Sequence, residues 1–130
     1  MSVPETSHEA WLAKAENDLL NIENNLAAAE VPWDTVCFHA QQATEKLLKG
    51  FLVFHGQIPA RTHDLIVLLT ACVQIDQELG DLEGDCRLLT YFAVAVRYPS
   101  DIFEPGEEDS RPLFEAAQRV RKEILARLPA

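Results

Sequence analysis

The segment VCFHAQQATEKLLKGFLVF, residues 36–54, says most about the architecture of this chain. Its apolar positions recur at alternating spacings of four and three, at Val36, Ala40, Ala43, Leu47, Gly50 and Phe54. This is the spacing of the buried face of an amphipathic α-helix. Pro32 precedes the segment and Gly56 follows it, and both residue types favour helix boundaries. We therefore predict one long helix between them.

Four further segments show helical periodicity, one before this helix and three after it. Their apolar faces are Leu12, Ala15, Leu19, Ile22, Leu26 and Ala29; Leu65, Leu68, Leu69 and Cys72; Leu82, Cys86, Leu89, Ala93 and Val96; and Leu113, Ala117, Val120 and Ile124. No alternating strand pattern bounded by turn residues occurs in the sequence. The predicted fold is all-α: an antiparallel up-and-down bundle of four long helices plus one short helix.

Capping and helix-breaking residues predict the helix boundaries. Thr6 and Glu9 form a capping box before the first helix, and the third helix starts at Thr62 or His63. Pro99 ends the fourth helix, and the last helix starts after Ser110 with Pro112 in its first turn. No repeat or linker divides the chain. We expect a single domain over residues 1–130, with its core at about 9–128.

The composition limits the classes of partner. The 130 residues include 21 acids and 11 bases, for a net charge of −10, which argues against a duplex DNA-binding surface. No apolar run reaches the roughly 20 residues that span a bilayer, and the first ten residues carry no cationic signal segment. The three widely spaced cysteines form no disulfide framework, so we expect buried thiols and a cytoplasmic protein.

The acidity is concentrated between Asp76 and Asp109. This window holds ten acids against Arg87 and Arg97, which is −8 of the −10. Two interpretations stay open. The window is either a repulsive wall or docking face for a basic partner, or solvated loops and a solvated helix start, which we favour.

Several motifs occur in a specific order. The second helix contains CFHAQQATEKLLK at 37–49, the third opens with THDL at 62–65, the fourth ends in RYP at 97–99, and the first carries Trp11-Leu12 and Asp18-Leu19. Together these resemble the HEPN domain family over roughly Glu9 to Leu128. The resemblance implies an all-helical homodimer, often encoded beside a small nucleotidyltransferase. Many members of the family are metal-independent ribonucleases.

The ribonuclease members carry an arginine followed after four to six residues by a histidine. Such a pair can move the proton of a ribose 2′-hydroxyl and stabilise the phosphorane charge. The candidate arginine here is Arg97, but His8, His39, His55 and His63 all precede it. The family motif is therefore absent, and we assign no catalytic residue.

A polar ridge remains on the second helix. His39, Gln42, Lys46 and Lys49 are spaced three, four and three, so they share one face, and Glu45 lies four residues before Lys49. One interpretation is a contact surface for nucleotide phosphate or RNA. The other is a solvated ridge, or one closed by carboxylates such as Asp18 on the neighbouring helix.

Two helix ends are further candidates. Thr62 can cap the third helix, and the exposed amides beside His63 could instead hold a phosphate. Arg97 can satisfy carbonyls in the last turn of the fourth helix, or can line a phosphate-binding cleft together with Tyr98. The predicted nucleotide-binding residues are thus His39, Gln42, Lys46, Lys49, His63, Arg97 and Tyr98.

Metal and cofactor motifs are missing from the sequence. The single Glu5-x-x-His8 spacing lacks the second copy that a di-iron bundle needs, so we predict no metal and no cofactor. The leading hypothesis is a nucleotide- or RNA-binding homodimer that assists a separate nucleotidyltransferase protein. The alternatives are a ribonuclease that pairs Arg97 with His63 or His39, and a purely structural interaction bundle.

Overall fold

The computed structural model describes residues 7–97 and 104–129. The helices are α1 (His8–Leu26), α2 (Trp33–Phe54), α3 (Leu65–Ile75), α4 (Glu83–Arg97) and α5 (Glu107–Leu125), and a 3₁₀ helix over Gln77–Leu82 leads into α4. The four long helices and the short α3 confirm the predicted all-α bundle. The described residues contain no strand.

Helix α2 lies at the centre of the bundle, where it contacts α1, α3, α4 and α5. Its predicted apolar face is buried except at Phe54, which is 38% exposed at the end of the helix, and Leu47, Leu48 and Phe51 are at no more than 1% exposure. Burial of each such side chain contributes about 1.5–3 kcal/mol. The remaining helices add Ile22, Leu65, Leu89, Leu113 and Ile124 to the same core.

Two of the expected helix starts are wrong. Ser7, not Thr6, precedes α1, and its Oγ accepts a hydrogen bond from the Ala10 amide at 3.1 Å. Helix α3 begins at Leu65, because the Asp64 carboxylate accepts from the Ile66 amide at 2.9 Å. Thr62 instead accepts a hydrogen bond from the Asp64 amide at 3.0 Å and stabilises the turn before the helix. Both residue types are good caps, and the one nearest the helix is used.

Helix α5 also begins earlier than predicted, at Glu107, so Pro112 lies in its second turn rather than its first. Asp109 accepts from the Gly106 amide at 3.0 Å and stabilises this earlier start. Ser110 is fully buried, and its hydroxyl donates to the Trp33 carbonyl at 3.1 Å. A residue expected before the helix therefore joins α5 to the start of α2.

Glycines determine two features of α2. Gly56 has a φ of +78°, in the left-handed region that favours glycine, and it ends α2 as predicted. Gly50 allows α1 to approach: a Cβ at this position would lie 3.3 Å from Trp11 Cβ and 3.4 Å from a Leu12 methyl. This close approach places Trp11 beside the polar residues of α2.

The acidic window is partly neutralised by arginines of α5 and the residues just after it. Arg127 donates to Asp76 at 2.7 Å, and Arg119 makes two hydrogen bonds to Asp85, at 2.8 and 3.1 Å. The hydrogen bond to Arg127 lowers the pKa of Asp76. These contacts join Asp76 and Asp85 to α5 and to Arg127 just after it. The segment from Tyr98 to Phe103 lies outside the described residues. None of the described helices is long and apolar enough to cross a membrane.

Candidate functional site

A polar cluster lies between α1 and α2, centred on the carboxylate of Asp18. Asp18 is only 7% exposed, yet both of its oxygens are satisfied from α2. Oδ1 bonds to His39 Nδ1 at 2.8 Å, and Oδ2 accepts from Lys46 Nζ at 2.6 Å. A buried carboxylate requires such partners, because desolvation without them is costly. Asp18 therefore ties two turns of α2 to α1.

A second cluster is centred on Glu45, which is 4% exposed. Its Oε2 accepts from Lys49 Nζ at 3.1 Å, as the spacing on the helix predicts, and its Oε1 bonds to His63 Nδ1 at 2.8 Å. Lys49 also lies over the Trp11 ring, with Nζ 5.4 Å from the ring centroid. This cluster joins α1, α2 and the turn before α3.

Two glutamines extend the second cluster. Gln42 donates to Gln41 Oε1 at 2.8 Å, and Gln41 donates to the His63 carbonyl at 3.1 Å. His63 is therefore held through both its ring and its backbone.

The contacts of the two histidines with carboxylates select the forms of each ring that carry a hydrogen on Nδ1. An ionised carboxylate only accepts hydrogen bonds, so Nδ1 of His39 and of His63 carries the hydrogen. In the neutral ring, Nε2 is then left as an acceptor. The His63 side chain is 64% exposed, which makes it accessible to a bound molecule.

The structure brings five of the seven predicted residues into these two clusters: His39 and Lys46 on Asp18, and Gln42, Lys49 and His63 around Glu45. Arg97 is the last residue of α4, and its side chain is outside the described part. Tyr98 lies outside the described residues. Asp18 pairs with Lys46, as the second interpretation held, and Glu45 pairs with Lys49, so both lysines of the ridge are already paired with carboxylates.

Two clefts flank the paired residues. The first, of about 420 Å³, lies along α1 and is lined by Lys14, Asn17, Asp18, Leu20, Asn21, Asn24 and Lys46. The second, of about 480 Å³, is lined by Trp11, Lys49, Val53 and residues 56–61. Lys14 borders the first and Arg61 the second, and neither has a carboxylate partner among the described residues.

The sequence does not single out Trp11, Lys14 or the asparagines as site residues. Arg61 adjoins the helix start that could hold a phosphate but is not among the predicted nucleotide-binding residues. The sequence does indicate that Asp18 is buried. It follows Ala15 by three residues and precedes Ile22 by four, so it lies within the apolar stripe of α1. A charged residue at such a position must face a partner on a neighbouring helix.

The cysteines do not contribute a nucleophile. All three are free and buried, as predicted. Burial raises the pKa of Cys72 and of Cys86 to about 12, and it also raises the pKa of Cys37. The thiolate that attacks or binds metal is therefore scarce at neutral pH. Over residues 7–97 and 104–129, no three His, Cys, Asp or Glu side chains converge as metal ligands.

The family model described as the HEPN domain matches residues 8–127. The chain belongs to the HEPN domain family. This membership indicates a role related to nucleotides or RNA in general. The chain is also similar to the crystal structure of TT1696 from Thermus thermophilus, with a TM-score of 0.77, 25% identity, and coverage of 95% of this chain and 99% of that one. Among curated proteins, none matches the sequence.

Proposed function

We propose that this HEPN protein is a cytoplasmic nucleotide- or RNA-binding accessory module. It acts as a homodimer with a separate nucleotidyltransferase protein, in a toxin–antitoxin-like or related system. The proposal rests on the family membership and on the arrangement of polar residues between α1 and α2.

One observation supports this binding site. A hydrogen-bonded polar wall lies between two clefts, and each cleft has a cation at its edge. Neither cation has a carboxylate partner among the described residues. The wall contains Lys46 and Lys49, whose charges are already balanced by Asp18 and Glu45, and His39 and His63, which bond to the same two carboxylates. The two edge cations, Lys14 and Arg61, would attract an incoming phosphate. The paired residues would then orient the rest of the ligand.

The experiment is isothermal calorimetry with ATP and with a short single-stranded RNA. Lys14→Ala and Arg61→Ala are expected to weaken binding about tenfold each, since a hydrogen bond to a charged group contributes about 1.5–3 kcal/mol. Lys122→Ala, an exposed lysine on α5 outside both clefts, is the matched control and should bind as the wild type does. If no nucleotide or RNA binds to the wild type, the proposed function is wrong.

Partners are tested separately. Light scattering at micromolar concentration should give twice the monomer mass of 14.6 kDa. A product of the neighbouring gene with a nucleotidyltransferase fold should co-purify with the chain. A mass of one protomer at these concentrations contradicts the homodimer.

A second candidate function, metal-independent RNA cleavage, is favoured by the geometry of His63. Glu45 holds its Nδ1, and Nε2 of the largely exposed ring is free to act as a base, which is the arrangement of an oriented general base. In this reaction Nε2 takes the proton of a ribose 2′-hydroxyl, the 2′-oxygen attacks phosphorus, and the bond to the 5′-oxygen breaks as that oxygen takes a proton from solvent water. Arg97 would stabilise the phosphorane charge.

His63→Ala and Arg97→Ala test this second function. Each should abolish cleavage of single-stranded RNA in the presence of a metal chelator, and His8→Ala serves as the control. If the wild type cleaves none of a broad set of RNAs, the enzymatic candidate is eliminated. If it also binds no nucleotide, the structural interaction bundle remains.

A further inference from the structure

The outward face of α1 carries a stripe of polar residues with an unusual composition. Lys14, Asn17, Asn21 and Asn24 recur at spacings of three, four and three, the same pattern as the ridge of α2. All four are exposed, and together they form one wall of the 420 Å³ cleft. Leu20, which is exposed, and Asp18 and Lys46 from the α1–α2 contact complete the cleft.

Helix stability does not explain Asn17 and Asn24, and it explains Asn21 only through its hydrogen bond with Asn25 one turn later. Asparagine is a poorer helix former than glutamate, lysine or glutamine, because its short side chain competes for the backbone. The longer residues would solvate an exposed face equally well. Three asparagines on one face of a 19-residue helix therefore lower its helix propensity. A binding role for this face would explain their presence.

The amides are available to a ligand. Asn25 donates to Asn21 Oδ1 at 2.9 Å, which fixes the Asn21 amide and directs its own nitrogen away from that bond. Asn17 and Asn24 make no side-chain hydrogen bond within the described part of the chain. A carboxamide presents a donor and an acceptor side by side, and this pair matches the edge of a nucleobase.

The charge of the cleft limits the ligand further. Two lysines face one aspartate, and Lys46 is already paired with Asp18, so among the residues that line the cleft Lys14 alone is an available cation. This cleft therefore suits a ligand that has several hydrogen-bonding groups and needs few contacts to phosphate. Its volume lies within the range of about 300–1,000 Å³ that is usual for small-molecule sites.

We infer that the stripe of Asn17, Asn21 and Asn24 is a nucleobase-reading surface, in which the amides bind base edges and Lys14 holds the adjoining phosphate. This inference rests on the proposed function and gives its ligand a chemical class. The base belongs either to a mononucleotide or to a short single-stranded RNA. From Lys14 to Asn24 the helix rises about 15 Å, enough for more than one base.

The test compares the wild type with the triple variant N17A/N21A/N24A. Because alanine is the best helix former, the variant should unfold at a temperature equal to or above that of the wild type. Calorimetry uses the four nucleoside monophosphates, single-stranded tetraribonucleotides and inorganic phosphate as probes. The triple variant is expected to bind the nucleotide probes at least tenfold more weakly. Gln118→Ala, an exposed amide on α5 outside the cleft, should change nothing.

The probes distinguish the two sources. Equal affinity for monophosphate and tetranucleotide indicates a mononucleotide site, whereas a tetranucleotide bound at least tenfold more tightly indicates RNA. In the latter case the slope of log K against log salt should be about −0.7, since Lys14 alone is available to contact phosphate.

Several outcomes overturn the inference. If the triple variant binds as tightly as the wild type, the asparagines do not read the base, although the proposed function stands. If inorganic phosphate binds as tightly as the nucleotides, charge alone holds the ligand. If the variant changes the oligomeric mass instead of nucleotide affinity, the stripe is a protein contact. If the wild type binds no probe, the proposed function and this inference both fail.

Discussion

Asp18 on α1 and Lys46 on α2 meet at 2.6 Å, and the second oxygen of the same carboxylate bonds to His39 at 2.8 Å. One buried acid thus joins two residues seven positions apart on the neighbouring helix. Because these contacts run across antiparallel helices, they fix the register of α1 against α2. The walls of both clefts depend on this register.

Substitution of Asp18 by asparagine should therefore destabilise the fold. The variant leaves Lys46 without a counter-charge and His39 Nδ1 without a carboxylate acceptor, and removal of one partner of a largely buried pair costs about 2–4 kcal/mol. Urea unfolding of Asp18→Asn measures this loss. Asp81→Asn, an exposed aspartate with no hydrogen-bond partner among the described residues, is the matched control. Equal stability of the two variants would contradict a structural role for the Asp18 cluster.

The periodicity of residues 36–54 predicts α2 correctly because a central helix must bury a continuous stripe. The asparagine face of α1 is also visible in the sequence as a spacing of three, four and three. The sequence does not show that Lys46 of α2 lies opposite this face. That pairing depends on how the turn at residues 27–32 sets the register, which no local pattern records.

The helix starts show a second limit of sequence reasoning. Thr62 and Asp64 can both cap a helix, and the difference between them is smaller than the energy of docking α3 onto α2. In the same way, Ser110 has the residue type of a cap, but its burial against Trp33 and Cys37 places it inside α5. Tertiary contacts select among local signals of similar strength.

The Asp76–Arg127 contact predicts a pH dependence of stability. The hydrogen bond from Arg127 lowers the pKa of Asp76 below its ordinary value of 3.8, so the folded state favours the ionised form. Its contribution is present above the unfolded pKa and is lost as the pH falls through the lower, folded pKa.

Thermal unfolding of the wild type and of Asp76→Asn between pH 6 and pH 2 measures this contribution. The wild type should be more stable at pH 6, and the difference in Tm should shrink toward pH 2. If the difference in Tm stays constant from pH 6 to pH 2, the charge of Asp76 does not contribute to the stability of the contact.

The buried cysteines should resist alkylation in the folded protein. Burial raises the pKa of Cys72 and of Cys86 to about 12, so the thiolate is scarce at pH 8 and access to it is blocked. Mass spectrometry after brief iodoacetamide treatment should find both residues unmodified in buffer and modified in urea. Rapid labelling of either residue in buffer would mean that the bundle opens locally around α3 and α4.

Two glycine substitutions test the close approach of α1 to α2. Helix propensity alone predicts the same stabilising effect for both. Alanine is the better helix former at both positions. At Gly50 the new Cβ would lie 3.3 Å from Trp11 Cβ, so α1 must move, and Gly50→Ala should cost about 1–2 kcal/mol. At Gly84, near the start of α4, a Cβ meets no atom within 4 Å, and Gly84→Ala should stabilise by about 0.5 kcal/mol. Opposite shifts in Tm would support the observed contact, because a loosely packed α1 would let both variants gain stability. The Gly50 variant should also weaken nucleotide binding in calorimetry, since it displaces Trp11 and the α1 wall of both clefts.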